Sequence, residues 1–277
     1  MTDDGPASFR DRSEADRAFL GLEPAEGPGA STFVVTPHLT RPDGRLFGGA
    51  GIAVSVAAIE AAAGAPALWA TAQLIGSPAM DERVHVRAEV LAAGRRVQQV
   101  QVTATGPDGL AFVALGAAGQ AKPDAPSATL ESMPAVSGPS ESTDIAAGGD
   151  RSPTVGWHRH ADLRRAHIVD HPDRQPGRMC FWLSLAVHPF TTATVLAFLA
   201  DVVPLSVMKG VGLPGHGTSL DNTLRCGQLT DTEWVLADIR GHQAHGGFGQ
   251  GSAHLWAEDG TLLGTASQTA RLIVRDA

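Results

Sequence analysis

The sequence contains no tyrosine, almost no lysine and only two cysteines, Cys180 and Cys226. Two cysteines without C-x-x-C spacing predict neither a disulfide framework nor a zinc site. Arginine supplies most of the positive charge, and basic residues never form a run longer than a pair. With a net charge of −8, this pattern argues against a protein that binds nucleic acid.

Long apolar runs are also missing from the sequence. Residues 1–19 lack the apolar core of a signal peptide. The longest apolar candidate, residues 191–207, is interrupted by Asp201 and Pro204, and no run of about 18 apolar residues exists. We therefore expect a cytoplasmic protein that does not engage membranes.

Regular hydrophobic patterning occupies two segments of similar size. A stretch rich in Pro, Ser, Ala and Gly separates them at residues 122–153 and predicts a linker. Residues 1–30 are polar and charged, with a short helical candidate at 13–22. The predicted organisation is a polar segment at 1–30, a first unit at 31–121, the linker, and a second unit at 154–277.

The two units share one pattern, which indicates an internal repeat. In each unit a helix, at 51–63 or 191–200, precedes several strands, and Asp-Gly between the last two strands predicts a hairpin. The strands are predicted at 68–75, 83–92, 98–105, 111–118, 218–224, 233–240, 249–257 and 262–274. We predict an α+β fold of two helix-wrapped antiparallel sheets joined into one larger sheet, which covers one open edge of each.

An ordered set of short motifs runs through both units. They are RLFGG at 45–49, SLDN at 219–222, EWVL at 233–236, a Gly-rich segment at 242–249, DG at 259–260 and TASQ at 265–268. Over most of residues 33–274, their order and spacing resemble the acyl-CoA thioesterase II family, which has a double hotdog fold. The resemblance implies hydrolysis of an acyl-CoA to free acid and CoA, without a metal or cofactor. It also implies that an Asp, a Ser or Thr, and a Gln hold and activate a water.

Carried over to this chain, the resemblance places the acid at Asp221 and the amide at Gln268. The Ser/Thr position falls within residues 241–245, where neither residue type occurs and Gln243 aligns best. His242 and His245 are candidates for a supporting polar group in that segment. From the first unit, we expect substrate contacts from Phe47, Gly48 and Gly49.

The residue patterns leave ordinary structural roles open for both main candidates. A partly desolvated Asp221 suits a general base, but it also suits a strand-end aspartate in solvent. Gln268 alternates with Ala266 and Ala270, and an amide on such an apolar face must be paired when buried. The first-unit counterpart of Asp221 is about Gln73, so we expect no catalytic set in that unit.

Two other functions remain open. The missing Ser/Thr beside Gln243 leaves an acyl-CoA-binding or lipid-binding protein that has lost the chemistry. A hotdog dehydratase would need a His and an acid on the central helix, which offers only Glu60. Covalent catalysis is not expected, because the chain has no G-x-S-x-G motif and no evident cause of a lowered pKa at Cys226. The expected partners are an acyl-CoA and a second copy in a homodimer.

Overall fold

One antiparallel sheet runs through both halves of the chain in this computed structural model, which describes residues 7–122, 124–145, 155–169 and 177–274. The elements of the first half are α1 (Phe9–Leu20), β1 (Glu23–Pro24), β2 (Ala30–Val34), α2 (Gly48–Ala63), β3 (Ala67–Leu74), β4 (Arg83–Ala93), β5 (Val97–Gly106) and β6 (Gly109–Gly119). Those of the second half are β7 (Thr143–Asp144), β8 (Asp162–Ala166), β9 (Arg178–Ser184), α3 (Ala193–Leu199), α4 (Val203–Val211), β10 (Gly215–Ser219), β11 (Asp221–Cys226), β12 (Val235–His245), β13 (Phe248–Ala257) and β14 (Leu262–Val274).

The two halves meet where β3 pairs with β11. The strand order is β1-β2-β4-β5-β6-β3-β11-β14-β13-β12-β9-β8-β7, and β10 also pairs with β14. In the register of this seam, Gln73 lies opposite Asp221 and Thr71 lies opposite Thr223, with the two hydroxyls 3.0 Å apart. The prediction of two helix-bearing sheets joined into one is therefore confirmed.

Helix α2 is buried along most of its length, as its composition predicts. It begins three residues before the predicted start, and every residue from 49 to 60 is buried between α3 and the first-half strands. The hydroxyl of Ser55 donates to the carbonyl of Gly51 at 2.9 Å, so this polar side chain is satisfied inside the helix. Gly64 then ends the helix in the left-handed conformation.

In the second half, one helix prediction and one strand prediction each miss a break in the element. The predicted helix at 191–200 is α3, which ends at Leu199, and α4 begins at Val203 with Pro204 in its first turn. The predicted strand at 218–224 divides into β10 and β11 at Leu220. Residues 193–211 are long and apolar enough to cross a membrane by length and composition, but 78% of the most apolar window is buried in the fold, as for a core helix.

Glycines let α4 lie close on the sheet. A Cβ on Gly251 would lie 2.8 Å from Val203, and a Cβ on Gly249 would lie 2.5 Å from Val207. The Gly-rich segment at 242–249 forms the turn end of the β12–β13 hairpin. Gly246 and Gly247 form its turn with φ of 59° and 83°, as a type I′ turn requires.

Parts of the predicted N-terminal segment and linker pack on the second half. The Trp182 indole donates to the Ser137 carbonyl at 2.8 Å, and β7 pairs with β8. From α1, Arg12 donates to Asp231 at 2.8 and 2.6 Å, while Asp16 accepts from Thr192 at 2.6 Å. The described part of 122–153 therefore adds to the second unit, and 146–153 lies outside the described residues.

We predict that Gly251→Ala lowers the free energy of unfolding by about 1–3 kcal/mol, because its Cβ would meet the Arg240 carbonyl oxygen at 2.5 Å as well as Val203. Gly138→Ala is the matched control, since no atom lies within 4 Å of its Cβ position. Chemical denaturation compares the two variants. Equal stability would contradict the close packing of α4.

Candidate functional site

A buried carboxylate, Asp201, lies at the break between α3 and α4 and is 8% exposed. The Ser219 hydroxyl donates to its Oδ1 at 2.7 Å, and the Gln268 side-chain amide donates to the same oxygen. The backbone N–H of Gly49 also donates to this carboxylate. These three contacting residues come from both halves of the chain.

Gln268 uses both ends of its amide in this cluster. Its Nε2 is also 3.3 Å from the Ser219 hydroxyl, and its Oε1 accepts the backbone N–H of Val203 at 3.2 Å. The side chain is 3% exposed and lies between Ala266 and Ala270, as the alternation predicts. A buried carboxylate and a backbone amide therefore satisfy it.

Burial raises the pKa of Asp201, and this is the largest influence on that group. Hydrogen bonds from Ser219, Gln268 and the Gly49 backbone act in the opposite direction, because they stabilise the carboxylate. The site thus holds an acid whose anionic form is disfavoured by desolvation and favoured by three donors. Such a carboxylate accepts a proton more readily than an exposed aspartate.

The start of α2 closes one side of the cluster. A Cβ on Gly48 would lie 2.5 Å from Oδ2 of Asp201, so the carboxylate needs a glycine here. Phe47 stacks on Trp157 with centroids 4.8 Å apart and meets Phe198 edge-on at 5.3 Å. These contacts fix the helix end. Of the predicted substrate contacts, Gly48 and Gly49 touch the cluster, whereas Phe47 belongs to an aromatic core.

Asp221 has a different surrounding from the one expected. Its Oδ1 accepts the backbone N–H of Thr269 at 2.7 Å, where the sheet register shifts between β10 and β11. Gln268 bonds Asp201, Ser219 and Val203, and Asp221 is not among the partners that the structure gives it. The predicted Asp221–Gln268 pairing is not formed, because the strand turns at Leu220 and the Asp221 side chain serves the β14 backbone.

Gln243, His242 and His245 also lie apart from the cluster. All three are on the far part of β12 towards the hairpin turn, and all three are exposed. Gln243 accepts from Gln250 at 3.4 Å, and a His242 ring nitrogen lies 3.0 Å from the Ser252 hydroxyl. The residue of this segment that faces α4 is Gly241.

Sequence reasoning missed Asp201 and Ser219 as site residues. Ser219 begins the SLDN motif, so a shift of two residues along that motif would have found it. Asp201 is a lone acid inside an apolar helical stretch, which is a signal for a special role because an unpaired buried charge is costly.

Other candidate chemistry lies elsewhere in the described residues. There, no group of three or more His, Cys, Asp or Glu side chains is placed to hold a metal ion. Glu60 accepts the backbone N–H of Ala67 at 2.8 Å near the end of α2, and burial raises the pKa of Cys226. A cavity of about 490 Å³ lies beside α3 and the ends of β9 and β12, and neither Asp201 nor Gln268 lines it.

Comparisons with known proteins show which family the chain belongs to. A model of the acyl-CoA thioesterase C-terminal domain matches residues 123–272, and a model of the acyl-CoA thioesterase N-terminal domain matches residues 37–119. The chain belongs to the acyl-CoA thioesterase family. This confirms the resemblance to the thioesterase II group and assigns the chain to the thioesterase class of hydrolases in general.

Solved structures agree with the double hotdog architecture of this thioesterase family member. A candidate thioesterase from Novosphingobium aromaticivorans is 25% identical, with a TM-score of 0.80, over 92% of this chain and 98% of that one. A TesB protein from Mycobacterium avium is 18% identical, with a TM-score of 0.76, over 95% and 99%. Acyl-CoA thioesterase II TesB2 from Mycobacterium marinum is 15% identical, with a TM-score of 0.73, over 94% and 99%. Among curated proteins, no relative matches this chain.

The buried carboxyl of Glu60 should make the free energy of unfolding depend on pH. Burial raises its pKa from 4.5 to about 7, so the folded protein keeps a proton that the unfolded chain has lost between these values. The free energy of unfolding therefore falls as pH rises through this window, by about 3 kcal/mol when complete. Glu60→Gln keeps the acceptor for Ala67 and should remove this part of the slope.

Denaturation of the wild type and the variant across pH 4 to 8 measures the effect. Glu89→Gln, at an exposed position on β4, is the control and should retain the wild-type slope. If Glu60→Gln leaves the slope unchanged, the pH dependence of stability does not come from Glu60.

Proposed function

We propose that the chain hydrolyses acyl-CoA thioesters through an activated water, with Asp201 as the general base. The observation that carries this proposal is the buried carboxylate, held by Ser219 and Gln268 against the N-terminus of α2. An Asp, a hydroxyl residue and a Gln are the set that the family resemblance implies. Here those roles go to Asp201, Ser219 and Gln268.

The proposed reaction has two steps. Asp201 takes a proton from a water as the water oxygen attacks the thioester carbonyl carbon, which gives a tetrahedral oxyanion. The oxyanion then collapses and the carbon–sulfur bond breaks, releasing the free acid. The CoA sulfur leaves with the proton from Asp201, so the carboxylate is restored for the next cycle.

Ser219 and Gln268 act mainly on Asp201 in this scheme. Both donate to Oδ1, which fixes the carboxylate rotamer and directs its other oxygen towards Gly48. Gln268 is itself held by the Val203 N–H, so the chain of bonds ends on backbone. A carboxylate fixed in this way loses little entropy when it meets the attacking water.

The N-terminus of α2 suits the developing negative charge. Its cap residue, Phe47, offers no side-chain acceptor, so this helix start carries no side-chain cap. Helix N-termini favour anions, and donors aimed at an oxyanion are a large source of catalysis. We assign oxyanion stabilisation to this helix end.

A binding-only protein is the second candidate, and its motivation was the missing hydroxyl beside Gln243. Ser219 supplies a hydroxyl in contact with both Asp201 and Gln268. This contact favours catalysis over binding alone.

We predict that Asp201→Asn lowers kcat for CoA release by about 10²–10⁴-fold, because Asn keeps the shape but cannot take the proton. Asp221→Asn is the matched control, since its Oδ1 can still accept from Thr269, and it should keep activity within about threefold. Release of CoA thiol from a panel of acyl-CoAs measures both. The assignment fails if Asp201→Asn retains activity or if Asp221→Asn alone abolishes it.

We also expect kcat/KM to fall as pH is lowered, because the base form of Asp201 is required. Burial raises the pKa of this carboxyl, so the midpoint should lie above the ordinary value of 3.8. A pH–rate profile with a stability check at each pH measures the midpoint. A flat profile down to pH 4 in folded protein would contradict the role of Asp201.

A further inference from the structure

A second amide close to the cluster is buried without partners. Asn222 on β11 has no exposed surface, and neither its Oδ1 nor its Nδ2 has a hydrogen-bond partner. Thr194 on α3 is equally buried, and its hydroxyl is also unpartnered. Leaving such groups unpaired is costly, so native proteins rarely do it without a reason.

The register places Asn222 beside Gln268. Thr223 pairs with Ser267, and the next residues on the helix-facing side of the two strands are Asn222 and Gln268. Side chains at such neighbouring positions have Cβ atoms about 5 Å apart. On its other side, Asn222 pairs with Ala72 of β3, whose methyl group offers the Asn222 amide no hydrogen bond.

Thr194 approaches the same region from the helix side. It lies on α3, which packs on β11 and leads directly into the break that holds Asp201. The two unpartnered groups thus come from the helix and the strand that flank the cluster.

Gln268 itself has little capacity left for a ligand. Its Nε2 donates to Asp201 and Ser219, and its Oε1 accepts from Val203. Asn222, by contrast, offers two donors and an acceptor. A group that can both donate and accept would satisfy this amide best.

We propose that Asn222, assisted by Thr194, recognises an oxygen substituent on the acyl chain close to the thioester. The preferred substrates are then hydroxyacyl-CoAs rather than plain alkyl acyl-CoAs. This inference rests on the proposed thioesterase reaction at Asp201. A site with a buried amide binds an analogue that lacks the oxygen poorly, because the amide stays unpaired.

Matched substrate pairs test the proposal in the wild-type protein. The pairs are 3-hydroxybutyryl-CoA with butyryl-CoA and 3-hydroxydecanoyl-CoA with decanoyl-CoA, compared by kcat/KM for CoA release. We expect the hydroxylated member to be favoured by about tenfold or more. Equal values within twofold for both pairs would overturn the proposal and leave the thioesterase function intact. No hydrolysis of any member would overturn the proposed function and this inference with it.

Asn222→Leu separates recognition from packing. It should lower the preference ratio at least tenfold by losing the hydroxylated substrates. Because it replaces an unpaired amide by an apolar group of similar size, it should also raise Tm by about 2–4 °C. Thr194→Val should lower the ratio in the same direction by a smaller factor.

Thr223→Val is the control for these variants, because its hydroxyl meets Thr71 at the seam rather than the inner face. It should leave the preference ratio unchanged. A ratio that Asn222→Leu does not alter, or a fall in Tm on that substitution, would overturn the role of Asn222.

Discussion

The site depends on keeping one carboxylate out of water in contact with enough donors. An isolated charge inside a protein is very costly, and hydrogen bonds from fixed donors are what make burial of Asp201 tolerable. Those donors come from α2, β10 and β14, and Gln268 is in turn held by α4. The positions of these four elements are therefore coupled, since a shift of any one would leave a buried polar group unpaired.

Glycine is the residue that makes this coupling possible at two places. At the start of α2, Gly48 and Gly49 allow the helix backbone to reach the carboxylate and α3. Under α4, Gly249 and Gly251 allow the helix to lie low on the sheet, which brings the Val203 N–H to the Gln268 amide.

The local hydrophobic pattern was enough to predict most of the helices and strands. The apolar run of α2, the alternation in β4 and β5, and the two Asp-Gly turns each report on neighbours in sequence, and the structure has them within a few residues. Gln268 could be chosen for the same reason, because its two alanine neighbours mark a buried face. The contact between Asp201 and Ser219 could not be predicted, since it depends on the helix break and on the shift of register at Leu220. Asp221 stands two residues from Ser219, and only the turn of the strand decides which of them faces the helices.

The seam between β3 and β11 has a consequence for how the molecule comes apart. Each of these strands is an inner strand of the joined sheet but would be an outer edge of a separated half, with a row of open backbone groups. Pulling the halves apart would also strip Asp201 of the Gly49 donor. Neither half is therefore suited to exist as an independent piece.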